Sequence, residues 1–162
     1  MHKSMTMEFA RPGDAREIAE LSREYIEYDL GWEYTPEKIT RIIRNDNKNV
    51  VIARDDGRLT GFGIMTYGET NANLDLLAVR IRYRYLGIGR WIVEWLEKVA
   101  LTAGIVRVSV QVRQQNLGAI EFYKKLGYEI AFEQRGYYRG QETAIIMTKD
   151  LRSKANRNGG GS

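Results

Sequence analysis

Four arginines, Arg80, Arg82, Arg84 and Arg90, stand within eleven residues that contain no acidic side chain. Such a cluster predicts a local anion site rather than a generally basic surface. Inside it, Arg84-Tyr85-Leu86-Gly87-Ile88-Gly89 precedes an amphipathic run. Glycines there let main-chain N–H groups approach a phosphate at the positive end of a helix, and Arg84 and Arg90 add charge-assisted bonds. A phosphate-bearing ligand is one reading. A nucleic-acid surface, with Tyr83 and Tyr85 stacking on bases, is another. No Lys-Ser or Lys-Thr follows, so this is not a P-loop, and a single G-x-G pair does not make the dinucleotide fingerprint.

Other chemistry is bounded by what is missing. The 162 residues include no cysteine and one histidine, His2, in what reads as a frayed start. Thiol nucleophiles, disulfides, Cys or His metal sites and Ser-His-Asp triads are therefore not expected. Chemistry is left to Tyr, Asp, Glu, Lys, Arg, Ser, Thr, Asn or the backbone. With 43% apolar and 28% charged residues, the composition is that of a globular domain. No apolar run approaches the roughly 20 residues that cross a bilayer, and Met1 to Ala10 lacks a signal-peptide core, so the default expectation is a cytoplasmic protein without membrane association. The net charge is +4, but Arg152, Lys154 and Arg157 contribute three of those charges. Residues 1–151 read as one domain, and 152–162, ending Gly-Gly-Gly-Ser, as a flexible tail.

The elements that must position the arginine loop are legible from periodicity. Met5 to Ala10 reads as a strand, stopped by Pro12 and Gly13, and Asp14 to Tyr28 as a helix. After an irregular aromatic loop, Asp29 to Tyr34, Thr35-Pro36 starts a second helix. Val50 to Arg54 and Leu59 to Tyr67 flank Asp55-Asp56-Gly57-Arg58, which predicts an antiparallel hairpin, and Leu74 to Val79 a neighbouring strand. The helix from Ile88 to Ala103 ends at Gly104 and buries Trp95. Val106, Val108, Val110 and Val112 alternate with polar residues, a strand with one apolar face. Asn116 caps a helix to about Leu126, and Tyr128 to Gln134 and Thr143 to Asp150 close the chain as strands. The order β-α-α-β-β-β-α-β-α-β-β indicates a mixed sheet with helices packed against it.

Taken together, Leu76-Leu77-Ala78-Val79, Arg84-x-x-Gly87-x-Gly89 and the following helix resemble the coenzyme A motif of the GNAT superfamily of acetyl-CoA-dependent N-acetyltransferases. Asn116-x-x-Ala119-x-x-Phe122-Tyr123-x-x-Leu126-Gly127-Tyr128 is similar to that family's second conserved segment. The resemblance implies an α/β fold of the α+β kind: a mixed, mostly antiparallel sheet of about seven strands, splayed at its centre and flanked by about four helices. It implies acetyl-CoA as cosubstrate, no metal, an amine as the other substrate, and a monomer or homodimer. Nucleic acid then ceases to be the expected partner.

By the same resemblance, main-chain groups of Leu77, Ala78 and Val79 bond the pantetheine arm. The stretch Arg84, Tyr85, Leu86, Gly87, Ile88, Gly89 and Arg90 holds the pyrophosphate, Asn116 contacts the coenzyme, and Tyr123 lies near its sulfur. The chemistry agrees. An amine attacking a thioester needs a preorganised N–H at the developing oxyanion, and the departing thiolate needs a proton. A phenol of pKa near 10 can protonate a thiolate whose thiol pKa is near 8.5, which suits Tyr123 as general acid; periodicity alone would make it a core aromatic. Asp75 and Glu69 are the candidate bases, with exposed strand-edge carboxylates as the alternative reading of both.

Arg135-Gly136-Tyr137-Tyr138-Arg139 with Ala144-x-x-Met147 looks like the branch that acetylates protein N-terminal α-amines, including those of ribosomal proteins. Tyr137 and Tyr138 then line the substrate site, opposite Trp32, Glu33 and Tyr34, where Glu33 could hold a cationic substrate; as strand-end aromatics they could equally cover the sheet or a dimer contact. That branch commonly carries a catalytic Glu five residues before the motif Asn, and here Gln111 stands in its place. An amide cannot act as the base. An α-amine with pKa near 8 is about 10% neutral at pH 7, against about 0.04% for a lysine amine near 10.4, so a site without a clear base suits an α-amine better. Acetylation of a small amine or amino acid, and a catalytically silent acyl-CoA-binding regulatory domain, are the alternatives.

Overall fold

The computed structural model describes residues 4–27, 31–138 and 142–152. His2, Tyr28, Asp29, Arg139 and the glycine-rich tail from residue 153 lie outside the described residues. Seven strands form one sheet in the order β1-β2-β3-β4-β5-β7-β6: β1 Met5–Phe9, β2 Lys48–Asp55, β3 Arg58–Tyr67, β4 Asn71–Val79, β5 Arg107–Arg113, β6 Glu129–Tyr138 and β7 Glu142–Asp150. The helices are α1 Ala15–Tyr25, α2 Pro36–Ile43, α3 Ile88–Thr102 and α4 Leu117–Lys125, with short 3-10 turns at Pro12–Asp14 and Ile81–Tyr83. Pairing is antiparallel for β1/β2, β2/β3, β5/β7 and β6/β7 and parallel for β4/β5. The parallel ladder runs from Asn71↔Arg107 to Leu74↔Val110, whereas β4 continues to Val79. Among the described residues, no helix is long and apolar enough to cross a membrane.

The chain divides into two compact units, Met1–Thr66 with Asp75–Leu96, and Tyr67–Leu74 with Glu97–Ser162. In the first unit, Thr35 caps α2 by accepting a hydrogen bond from the Lys38 N–H at 3.3 Å. The β2–β3 turn is made by Asp56 and Gly57, both left-handed (φ 49° and 84°), as a two-residue hairpin of matching twist requires. Ile18 and Leu21 of α1 and Ile39 and Ile42 of α2 bury themselves with Ile52, Phe62, Ile64, Leu76 and Ala78. The opposite face of β3 shows Gly61 and Gly63, where an added Cβ would come within 3.3 Å of Ile92, and for Gly63 2.9 Å of Leu96. Helices therefore cover β3 on both faces, which is why its interior is buried without alternation.

In the second unit, β5 buries Val108, Val110 and Val112 and turns its polar residues the other way. Strand β7 carries the buried run Ala144–Met147. Edge strand β6 is exposed over nearly its whole length and reaches Tyr138, beyond the expected end at Gln134. Its last part is registered by the Tyr138↔Glu142 pair after an irregularity at left-handed Gly136 (φ 67°), the geometry of a β-bulge. Helix α1 ends at Tyr25, before the expected Tyr28, because Ile26 and Glu27 both donate their N–H to the Ser22 carbonyl and close the helix in a turn.

Candidate functional site

In the first unit, β4 delivers Leu77, Ala78 and Val79 to the arginine loop. Arg80 is tied to the β2–β3 hairpin: its main-chain N–H donates to the Thr60 carbonyl at 2.8 Å and its Nε to the Leu59 carbonyl at 2.7 Å. Tyr83 ties the 3-10 turn back to β2 through a hydroxyl bond to Asp55 at 3.1 Å. Arg84 donates Nε to the Val79 carbonyl at 3.2 Å, and its guanidinium lies 5.4 Å from the Tyr25 ring centre. Tyr85 is fully exposed in the left-handed region (φ 65°), and Leu86 is exposed beside it. Gly87 takes φ 83°, and its carbonyl receives the first intrahelical bond of α3, from the Trp91 N–H at 2.9 Å. Ile88 is buried and anchors the helix start, so the N–H groups ahead of Trp91 form the helix N-terminus that an anion would meet. Arg90 pairs with Glu94 at 2.7 Å, an exposed i,i+4 bridge weak enough to exchange for a phosphate. Left-handed Gly87, small Gly89 and a cationic rim fit a pyrophosphate.

The candidate bases separate. Asp75 accepts a short hydrogen bond from Thr66 Oγ1 and lies 3.6 Å from Lys48 Nζ, which itself donates to Thr66 Oγ1 at 2.6 Å. Its carboxylate is committed to a partly buried ion pair. Glu69 sits in the exposed turn ahead of β4, and the strand from Asn71 to Val79 alone spans roughly 26 Å. The first unit also holds the Trp32-Glu33-Tyr34 segment, through a residue that sequence reasoning missed. The buried Glu27 carboxylate accepts from Ser22 Oγ at 2.9 Å, the Glu33 N–H at 2.8 Å and the Tyr34 N–H at 3.2 Å. Trp32 donates Nε1–H to the Ala19 carbonyl at 3.3 Å under the Arg23 guanidinium. Glu33 is paired with Lys38 at 2.9 Å; the adjoining cavity of about 500 Å³ is lined by Glu20, Glu24 and Glu27 together with Arg23, Gly31 and Trp32.

In the second unit, Asn116 caps α4 by accepting from the Ala119 N–H at 3.1 Å. Tyr123 is buried, its ring edge-on to Phe122 at 5.0 Å and to Tyr128 at 5.4 Å. Burial, and secondarily the field of Tyr138, push its phenol well above 10, so it remains protonated throughout the physiological range. Gln111 exchanges two hydrogen bonds with Asn73, at 3.0 and 2.6 Å. This reciprocal amide pair bridges β4 and β5 at the position where a base would be sought. Tyr137 and Tyr138 stack edge-on at 5.0 Å, with Arg113 over Tyr138 at 5.3 Å and 3.6 Å from Glu142. Burial is the main reason the Tyr138 phenol is pushed up to about 12.

Known proteins resemble the chain in both sequence and fold. The Acetyltransferase (GNAT) family profile matches residues 15–128, the stretch that carries β4, the arginine loop, Asn116 and Tyr123. The [ribosomal protein bS18]-alanine N-acetyltransferase of Salmonella typhimurium is 35% identical over 102 residues, 61% of this chain and 68% of that protein. Its Escherichia coli counterpart is 34% identical over 95 residues, 57% of this chain, and the match spans 64%, less than two thirds, of that relative's length. Among solved structures, Ard1 from Thermoplasma volcanium superposes with a TM-score of 0.81 at 24% identity, covering 91% of this chain and 97% of that one. PaiA N-acetyltransferase from Thermoplasma acidophilum, solved in complex with coenzyme A, gives 0.79 at 22% identity, covering 91% and 99%. With the profile matching well over half of its residues, the chain belongs to the GNAT family of acetyl-CoA-dependent N-acetyltransferases.

Proposed function

We propose that this enzyme acetylates a protein N-terminal α-amine by direct attack in a ternary complex, with Tyr123 as general acid. Acetyl-CoA supplies the activated acetyl group. The chain's own residues do the rest. Gly87, Gly89 and the first turn of α3 receive the pyrophosphate, with Arg84 and Arg90 leaving their present partners to join it. A β4 N–H, of Leu77 or Val79, stabilises the negative charge that develops on the carbonyl oxygen. As the nitrogen–carbon bond forms and the carbon–sulfur bond breaks, Tyr123 gives its proton to the leaving sulfur; the attacking nitrogen loses a proton to solvent, and solvent returns one to the Tyr123 oxygen before the next turnover.

The observation that carries this reading is the placement of Tyr123, a phenol on the helix that Asn116 caps, with its ring set edge-on between Phe122 and Tyr128. For the amine, support comes from Gln111, whose Asn73-paired amide cannot act as a base, and from Asp75, whose carboxylate is engaged by Lys48 and Thr66. An amine about 10% neutral at pH 7 needs no base. The ribosomal-protein alanine acetyltransferases it resembles act on such a group, as their names state, and a cytoplasmic location follows from that reading. The carboxylate-lined cavity beside Trp32 favours a second reading, a small cationic amine. The test is release of coenzyme A from acetyl-CoA with an alanine-starting peptide, an N-blocked lysine peptide, free amino acids and polyamines. Turnover confined to the α-amine peptide is expected; turnover only on polyamines or on the lysine peptide overturns the assignment.

A further inference from the structure

Behind Tyr123 lies a charged cluster that the chemistry above does not use. Lys149 Nζ of β7 sits 2.9 and 3.1 Å from the two carboxylate oxygens of Glu97 on α3, and the Tyr128 hydroxyl donates to Glu97 Oε2 at 2.8 Å. All three residues are at most 5% exposed. A buried ion pair of this kind is weak evidence for stability, because apolar side chains of the same volume often do as well. Its effect here is directional. Tyr128 is fixed at both ends: its hydroxyl by Glu97, and its N–H by the Tyr123 carbonyl at 3.0 Å. Left-handed Gly127 (φ 97°) makes that return possible and leaves room for the Lys149 stem, which a Cβ there would meet at 3.3 Å. The Tyr128 ring then stands at 69° to the Tyr123 ring, which is wedged against Phe122 on its other contact.

We propose that Tyr128, clamped by the Glu97–Lys149 pair, is a positioning residue that fixes the Tyr123 ring in its proton-donating orientation. The proposal rests on the reading of Tyr123 as general acid, and a double-mutant cycle separates the two. With acetyl-CoA and an alanine-starting peptide at saturation, Tyr128→Phe keeps the ring and the fold but frees its orientation. It should lower kcat about tenfold, within the range that small misplacements produce, with KM for acetyl-CoA unchanged. In a Tyr123→Phe background the same substitution should change kcat by less than about twofold, since there is no proton left to aim. Equal losses in both backgrounds, or none in the first, overturn the proposal. If Tyr123→Phe alone leaves kcat intact, it is the general-acid reading that fails. Ring flipping of Tyr123 followed by NMR then decides the clamp by itself: faster flipping in Tyr128→Phe supports it, and an unchanged rate overturns it.

Discussion

Replacing Gly61 by alanine tests whether the end of β4 is a precision surface. An added Cβ would lie 2.8 Å from the Ala78 carbonyl oxygen, 3.2 Å from Val79 Cγ2 and 3.3 Å from Ile92 Cδ1. At Gly63 the nearest atoms are Ile92 Cγ2 at 2.8 Å and Leu96 Cδ1 at 2.9 Å. Overpacking costs about 1–3 kcal/mol, and losing a glycine from a strand returns about 0.5–1 kcal/mol. Side chains can yield at position 63, giving a net loss of about 1 kcal/mol. At position 61 the obstacle is main chain, so the net loss should be about 2 kcal/mol, and β4 must shift by roughly half an ångström between Leu77 and Val79. A displacement of that size, in the strand whose main chain is proposed to hold the pantetheine arm, should weaken acetyl-CoA binding about tenfold. Urea unfolding and calorimetric titration with acetyl-CoA measure both. Wild-type affinity in Gly61→Ala, or a stability loss no greater than in Gly63→Ala, would refute the reasoning.

Three further outcomes are expected. Gly87→Val forces a β-branched residue to φ 83° and should lose most acetyl-CoA affinity in the same titration while the chain stays folded, since the loop is exposed. Tyr123 and Tyr128 are held neutral when folded but ionise near pH 10 when unfolded, so their contribution is complete below pH 10 and is lost above it. Between pH 10 and 11 their part of the urea-unfolding free energy should fall by up to about 2.7 kcal/mol per pH unit, and by about half that in Tyr128→Phe. Glu27→Ala removes the acceptor of the Ser22 hydroxyl and the Glu33 and Tyr34 N–H groups; it should destabilise the protein by about 2–3 kcal/mol and raise KM for the amine severalfold, leaving KM for acetyl-CoA unchanged.

The order of elements was legible because the residues inside them follow one period each. Val108, Val110 and Val112 alternate, and Ile88, Ile92 and Leu96 recur at helical spacing; all six are buried. Strand β6 was read short because Glu133-Gln134-Arg135-Gly136 has no apolar face to betray it; its length comes from pairing with β7 alone. The loop and its helix were visible because Gly87 and Gly89 are punctuation in the sequence itself. What stayed hidden was who pairs with whom. Arg80 and Asp75 read as isolated charges, yet Arg80 Nε donates to a main-chain carbonyl and Asp75 is engaged by Lys48 and Thr66. Glu27, Glu97 and Lys149 carry no signal in the sequence; only tertiary contacts bury them, and burial is what gives them roles.

Tyr123→Phe, assayed for both acetyl-CoA affinity and turnover, decides whether this phenol is the proton donor. The substitution removes one hydroxyl from a buried ring that retains its contacts with Phe122 and Tyr128. With Tyr123 as general acid, acetyl-CoA binding is unchanged and kcat falls about a hundredfold or more, the usual worth of a positioned general acid. Undiminished kcat with undiminished binding would contradict it and remove Tyr123 from the chemistry.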